Sequence, residues 1–380
     1  MPRIPRKFVF DPTEVGVYHC INRCVRRAFL CGTDEVSGKC FDHRKGWIQS
    51  RLEFLACQFA VEVLGFAIMS NHIHVVVRNR PDVVPGWSDE EASRRWWNIF
   101  PQRKDIDDSP AEPNDAELGM VTSNPERLAE VRKRLSSISW FMRCLVEPIA
   151  RRANKEDVCS GRFFEGRYRC QPILDETALA ACLAYVDLNP IRAGMAETLE
   201  TSRFTSVYER IQALRKTPSN TSAQRAAWLS PFELVEDAPQ TETLLSPGER
   251  GAGGEGAVEL NESALRNQAP LNDVPASRVS NKGCLPMTFA EYLQLLDWTG
   301  RQPRADKPGV IPQDLAPVLE RLQLSGDGWL NLVCDFRRKF RRAAGTPASL
   351  TKEAAKRGCR KMHGIAHSRA IFDPPSRVKT

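Results

Sequence analysis

The sequence predicts an α+β protein, and three patterns predict it. The stretch GVYHCINRC alternates apolar and polar residues as a strand does, over about Gly16 to Asn22. Two apolar runs flank Ser70 and Asn71, one over about Ala60 to Met69 and one over His72 to Arg78, and so short a polar break pairs them as a hairpin. Elsewhere apolar residues recur every three or four positions, the period of helices that bury one face.

The elements follow in chain order. Trp47, Ile48, Leu52, Leu55 and Phe59 share a face, which predicts a helix from about Gly46 to Ala60 between the first strand and the hairpin. Residues 81–124 are rich in proline and acid, notably KDIDDSPAEPNDAE, and read as a solvated loop insertion. From Pro125 a long helical period runs through Leu128, Val131, Leu135, Ile138, Phe141, Leu145 and Ile149, with Pro148 as a kink or an early end. SGRFFEGRYRCQPI reads as a turn and a short strand. DETALAACLAYVDLNP then reads as a helix capped by Asp175 and stopped by Pro190. Residues 216–282 include SPGERGAGGEG, a linker composition. Residues 283–380 form a mainly helical C-terminal domain, with FAEYLQLLDWTGR, LAPVLERLQL and WLNLVCDFRRKFRRAAG all helical in period.

Bulk composition narrows the class. With 380 residues, 42% hydrophobic and 27% charged, the chain suits a globular protein of more than one domain. No apolar stretch approaches a membrane span. MPRIPRKFVFDP is basic and broken by three prolines, unlike a secretory signal, so the expected location is the cytoplasm. There the 12 cysteines stay reduced, and their irregular spacing suits buried thiols better than a disulfide framework. Cys20, Cys24, Cys31 and Cys40 with His43 offer a weaker reading as a zinc cluster, since no CxxC pair is present. The net charge of +7 is a mild bias toward a polyanionic partner. It concentrates around Arg23, Arg26 and Arg27, around Arg162, Arg167 and Arg169, and around Arg337 to Arg342.

GFAIMSNHIHVVVR is the most informative stretch. In a strand, residues two apart face the same side, so His72 and His74 project together while Ile73 points into a core. Either these are two polar positions on a half-exposed strand, or two imidazoles holding one divalent ion. On the later helix, Tyr185 and Asn189 lie four apart and share a face, with Asn189 near the helix end ahead of Pro190. Two imidazoles, an amide oxygen and a phosphate oxygen suit Mg²⁺ or Mn²⁺ handling a phosphodiester. Tyr185 is then the candidate nucleophile, and a packing residue otherwise. Of five tyrosines, Tyr168 in EGRYRC is the main competitor, flanked by Arg167 and Arg169. His19 reads as a core histidine near the hairpin.

HIH within an apolar strand resembles the HUH motif, and AYVDLNPIRAG resembles the tyrosine-helix motif of the REP-associated tyrosine transposases, relatives of single-strand insertion-sequence transposases. YHCINRCVRRAFL is similar to that family's first strand, and GRFFEGRYRCQPIL to the segment before its tyrosine helix. The four motifs stand in the family's order, over roughly residues 10–210. The resemblance implies a ferredoxin-like antiparallel sheet with helices, in a domain over residues 1–215. It implies His72, His74 and Asn189 as metal ligands and Tyr185 as nucleophile. It also implies cleavage and rejoining of single-stranded DNA beside palindromic hairpins through a 5′-phosphotyrosine, in a nucleoid-associated protein that acts as a monomer or homodimer. Two departures stand out: Cys24 where many relatives have glycine, and a longer acidic stretch before Pro125.

Single-stranded DNA with a hairpin needs phosphate contacts, for which Arg23, Arg26, Arg27, Arg167 and Arg169 are the candidates. FRRKFRR is expected to add a second basic surface that grips the duplex stem. The competing class is a non-catalytic hairpin DNA- or RNA-binding protein on the same fold, which has no need of the His72, His74, Tyr185 and Asn189 set.

Overall fold

Four strands make one antiparallel sheet in the computed structural model: β1 (Gly16–Arg23), β2 (Val61–Ile68), β3 (His72–Asn79) and β4 (Arg169–Ile173), ordered β2-β3-β1-β4. The structure describes residues 9–25, 31–33, 38–106, 109–215, 226–232, 278–301, 316–360 and 362–372. Helix α1 (His43–Gln58) joins β1 to β2, and the hairpin turns at Ser70 and Asn71 as its sequence predicts.

Strand alternation divides the sheet into two faces. On one, Tyr18, Cys20, Phe66, Ile73, Val75 and Val77 pack against α1 and against α5 (Ile138–Glu156). On the other, Leu64, Ala67, Val76 and Ile173 lie under α6 (Glu176–Asp187). Asp175 caps α6 by accepting from the Ala178 amide at 2.9 Å, as its position predicts.

Three helix predictions change. Residues 81–124, read as a loop, contain α2 (Asp89–Ile99) and α3 (Asp115–Thr122). Ser88 and Asn114 cap them, and buried Ala92, Trp97, Leu118 and Val121 anchor them. The acidic composition that suggested solvation partly reflects first-turn Asp89, Glu90, Glu91, Asp115 and Glu117, favoured at helix N-termini. The long helix from Pro125 is two, α4 (Pro125–Leu135) and α5, broken at Ser136 and Ser137, and α5 runs through Pro148. Pro190 does not stop the third helix outright: after α6 ends at Asp187, α7 (Asn189–Arg192) adds one more turn, which Pro190 enters at a position that tolerates a missing N–H.

Gly65 sets how closely α6 approaches the sheet. A Cβ there would stand 2.5 Å from Leu183 Cδ2 and 3.1 Å from Ser206 Oγ. Gly65→Ala is therefore expected to cost about 1–3 kcal/mol, read from denaturant unfolding, because the buried Leu183 and Ser206 side chains have to give way.

The C-terminal helices close over the far side of α6. They include α8 (Ser206–Arg215), α9 (Phe289–Arg301), α10 (Ala316–Arg321) and α11 (Gly326–Cys334), then α12 (Phe336–Lys339), α13 (Pro347–Lys356) and α14 (Ile365–Phe372). Leu295, Leu296, Trp329, Leu330 and Phe336 share one core with Leu183 and Ala184 of α6. The run WLNLVCDFRRKFRRAAG is not one helix: it breaks at Asp335 and turns extended at Phe340. Asp187 ties the layers together, accepting from Ser206 Oγ at 2.7 Å and Tyr292 Oη at 2.8 Å. Removing residues from Gly283 onward would bare this core, so such a truncation disrupts the sheet domain as well. Of the expected linker, SPGERGAGGEG lies outside the described residues. Residues 226–232 are described and pack inward, with Trp228 and Leu229 each 1% exposed.

Candidate active site

The face of the sheet that carries α6 also carries the polar cluster. On β3, His72 and His74 face α6 while Ile73, 2% exposed, sits in the opposite core. On β1, His19 shares their face one register step along, since Ile21 pairs with His74 and His19 with Val76. His19 Nε2 and His74 Nδ1 are 2.8 Å apart, and His74 Nε2 stands 3.0 Å from Asn189 Nδ2. His72 Nδ1 stands 2.6 Å from Asn71 Oδ1, so it carries the proton there and leaves the Nε2 lone pair for another partner.

Burial is the leading influence on all three imidazoles, and each favours the neutral form. His19 is pushed down to about 3 and His72 to about 4, while His74 lies well below the usual histidine range. Nearby Arg337 adds to each shift. A neutral imidazole is the form that donates a lone pair to a metal or a hydrogen bond.

Tyr185 meets this cluster from α6. Its ring centroid lies 5.7 Å from His74 and 6.2 Å from His19, both edge-on. The continuation through Leu188 into α7 keeps Asn189 on the same side as Tyr185, so the i,i+4 spacing survives Pro190. Burial raises the Tyr185 hydroxyl above the ordinary tyrosine value, and Arg337 partly opposes that. The hydroxyl is therefore protonated at neutral pH and needs help to attack anything. Tyr168, the competing tyrosine, is 9% exposed and stands 3.4 Å from Ser139 Oγ, while the ring contacts of the histidines go to Tyr185.

Around Tyr185 opens a groove of about 830 Å³, and beside it a recess of about 300 Å³ that His72 lines. Arg167, Arg169 and Arg337 border both. Arg23 borders the smaller one and stands 3.8 Å from Glu165. Arg26 and Arg27 lie outside the described residues. Seven arginines line the larger groove against one carboxylate, Asp335, which suits a polyanion. Arg337, Arg338, Arg341 and Arg342 of this wall come from the C-terminal run. That run, expected to add a basic surface for a duplex stem, lines the groove that holds Tyr185. Phe336 and Phe340, 0% and 1% exposed, anchor the run on either side of Arg337 and Arg338.

The donors that could hold a divalent ion are His72 Nε2, His74 Nε2 and the Asn189 side chain. Among the described residues no set of three or more His, Cys, Asp or Glu side chains is placed to hold an ion, so the amide and a substrate oxygen would have to complete this one. The same finding covers the N-terminal cysteines, where His43 is engaged by Glu156 at 2.5 Å. No described helix is long and apolar enough to cross a membrane.

No protein-family model and no curated protein matches the chain. Among solved structures it is similar to a REP-associated tyrosine transposase bound to a REP hairpin, at 9% identity and a TM-score of 0.33 over 57% of this chain and 87% of that one.

Proposed function

We propose that the protein is a metal-dependent single-stranded DNA endonuclease and strand transferase, a transposase of the REP-associated tyrosine type, acting next to palindromic hairpins. The observation that carries this reading is the convergence of His72, His74, Tyr185 and Asn189 at one end of an arginine-lined groove. Two further features support it. The strand order β2-β3-β1-β4 with helical crossovers is that of a ferredoxin-like sheet. The arginines of the groove suit the phosphates of a single strand, and half-buried Phe10 on its wall offers apolar surface for a base.

His72, His74 and Asn189 fit an Mg²⁺ or Mn²⁺ ion. The imidazoles are neutral, and the Asn189 side chain, whose Nδ2 stands 3.0 Å from His74 Nε2, would turn its amide oxygen to such an ion. His19 would hold the other nitrogen of His74 and so orient its ring. Bound there, the ion would draw charge from a phosphate oxygen and make the phosphorus more electrophilic.

The chain's own groups do the rest. Arg167 and Arg169 hold the strand along the groove. Tyr185 Oη attacks the phosphorus and gives its proton to solvent. The bond from phosphorus to the 3′ oxygen breaks, the 3′ oxygen takes up a proton, and the 5′ phosphate stays on Tyr185. A second 3′ hydroxyl reverses the step and joins a new strand.

The test is incubation of the full chain with single-stranded DNA carrying a repetitive palindrome, with Mn²⁺ or Mg²⁺, followed by a denaturing gel. A covalent adduct that disappears with chelator is expected. His72→Ala should lower adduct yield at limiting Mn²⁺ and shift half-maximal Mn²⁺ upward by tenfold or more, a loss on the order of removing one ligand. Tight hairpin binding with no adduct on any substrate would instead favour the non-catalytic binding protein.

A further inference from the structure

The C-terminal run CDFRRKFRR is locked into the fold from several sides. Phe336 and Phe340 are 0% and 1% exposed, and their rings pack at 5.5 Å. Gln171 of β4 donates to the Phe340 carbonyl at 2.5 Å. Ala344 then pairs with the edge of β4, donating to Pro172 O at 2.9 Å while Leu174 donates to Ala344 O at 2.8 Å. These contacts fix the backbone on both sides of Arg337.

Arg337 is thereby aimed at the reacting groups. The ring of Phe336 stacks on Tyr185 at 5.9 Å and 26°, which holds the neighbouring residue beside the nucleophile. The charge of Arg337 is felt at the Tyr185 hydroxyl and at His19, His72 and His74. It borders both the groove holding Tyr185 and the recess holding His72. Arg338 next to it is paired with Asp335 at 2.7 Å, whereas among the described residues no carboxylate pairs with Arg337. A guanidinium left unneutralised between a nucleophile and a candidate ion site is placed for a phosphate, which it can grip through two N–H donors.

We propose that Arg337 is a further catalytic residue, supplied by the C-terminal segment beside Tyr185, which grips a non-bridging oxygen of the phosphate that Tyr185 attacks. The proposal rests on the strand-transfer reading of the site. No bond to Arg337 forms or breaks. It stabilises charge that grows on the phosphoryl oxygens as the Tyr185 bond forms and the 3′ oxygen leaves. On this account the C-terminal helices are part of the active site, and their packing on α6 keeps Arg337 in place.

The experiment compares full-length wild type, Arg337→Ala and Arg337→Lys. Hairpin affinity is read by fluorescence anisotropy, and the single-turnover rate of adduct formation by denaturing gel. Arg337→Ala is expected to slow the adduct by about 10²–10³-fold while affinity falls less than tenfold, in line with the loss of an arginine at a phosphoryl centre. Added guanidinium or ethylguanidinium should restore part of that rate in Arg337→Ala and none in wild type. Arg337→Lys should recover only part, since an ammonium lacks the planar fork. The side chain is exposed, so the variant should keep the wild-type thermal midpoint. A rate within threefold of wild type, rate and affinity falling together, or a slowed variant that guanidinium does not rescue would each overturn the role of Arg337 while leaving strand transfer intact. Absence of an adduct from wild type itself would overturn the strand-transfer reading, and the role of Arg337 with it.

Discussion

Replacing Tyr185 by phenylalanine is expected to abolish the covalent adduct, by a factor of at least ~10³, with hairpin affinity within about twofold of wild type. The ring of Tyr185 does the packing, between Phe336 on one side and the edges of His74 and His19 on the other, and phenylalanine keeps all of it. Only the hydroxyl is lost. A buried tyrosine with a structural role would show the opposite pattern, a changed unfolding midpoint and an unchanged reaction. The assay is the same denaturing gel, run with excess enzyme so that one turnover is read, alongside thermal unfolding of both proteins. Tyr168→Phe serves as the comparison, because Tyr168 lines the same groove but contacts Ser139.

Glu62→Ala is expected to be the most damaging single change to stability, at about 3–5 kcal/mol in denaturant unfolding. The Glu62 side chain is 1% exposed and sits between two guanidiniums, pairing with Arg80 at 2.9 Å and with Arg78. Those arginines are 7% and 4% exposed, so removing the carboxylate leaves buried positive charge. They also strap the C-terminal part to the hairpin: Arg78 donates to Lys282 O at 2.6 Å and Gly283 O at 2.9 Å, and Arg80 to Ser280 Oγ at 2.5 Å. Loss of Glu62 should therefore also speed proteolysis between residues 278 and 285. Glu62→Gln keeps one acceptor oxygen but replaces the other with an N–H donor facing a guanidinium, so it should recover only part of what alanine loses.

Much of the sheet domain was legible because period and punctuation agree there. Ser70 and Asn71 separate two apolar runs and do form the hairpin turn, and the two-residue period at His72, Ile73 and His74 does place the histidines opposite Ile73. Asp175 was readable as a cap because an acidic residue precedes a clear helical run. The 81–124 region was misread because acidic first turns and proline look like loop when the buried positions are as few as Ala92, Trp97, Leu118 and Val121. The contribution of Arg337 was hidden by distance along the chain, since nothing local ties CDFRRKFRR to a helix that begins at Glu176. A signal was present all the same. From Ala178 to Ala184 every residue of α6 is buried, and a helix apolar all round needs a layer on each side. The sheet supplies one, and only the C-terminal helices remain to supply the other.

If Tyr185 attacks a phosphodiester beside the His72, His74 and Asn189 cluster, the modified residue can be mapped. The adduct formed on palindrome-bearing single-stranded DNA with Mn²⁺ would be digested with nuclease and protease, and the peptide carrying the nucleotide sequenced by mass spectrometry. One modified residue, Tyr185, is expected, and no modified peptide when chelator is present. A nucleotide on Tyr168, or a Tyr185 adduct that forms equally well in chelator, would contradict it.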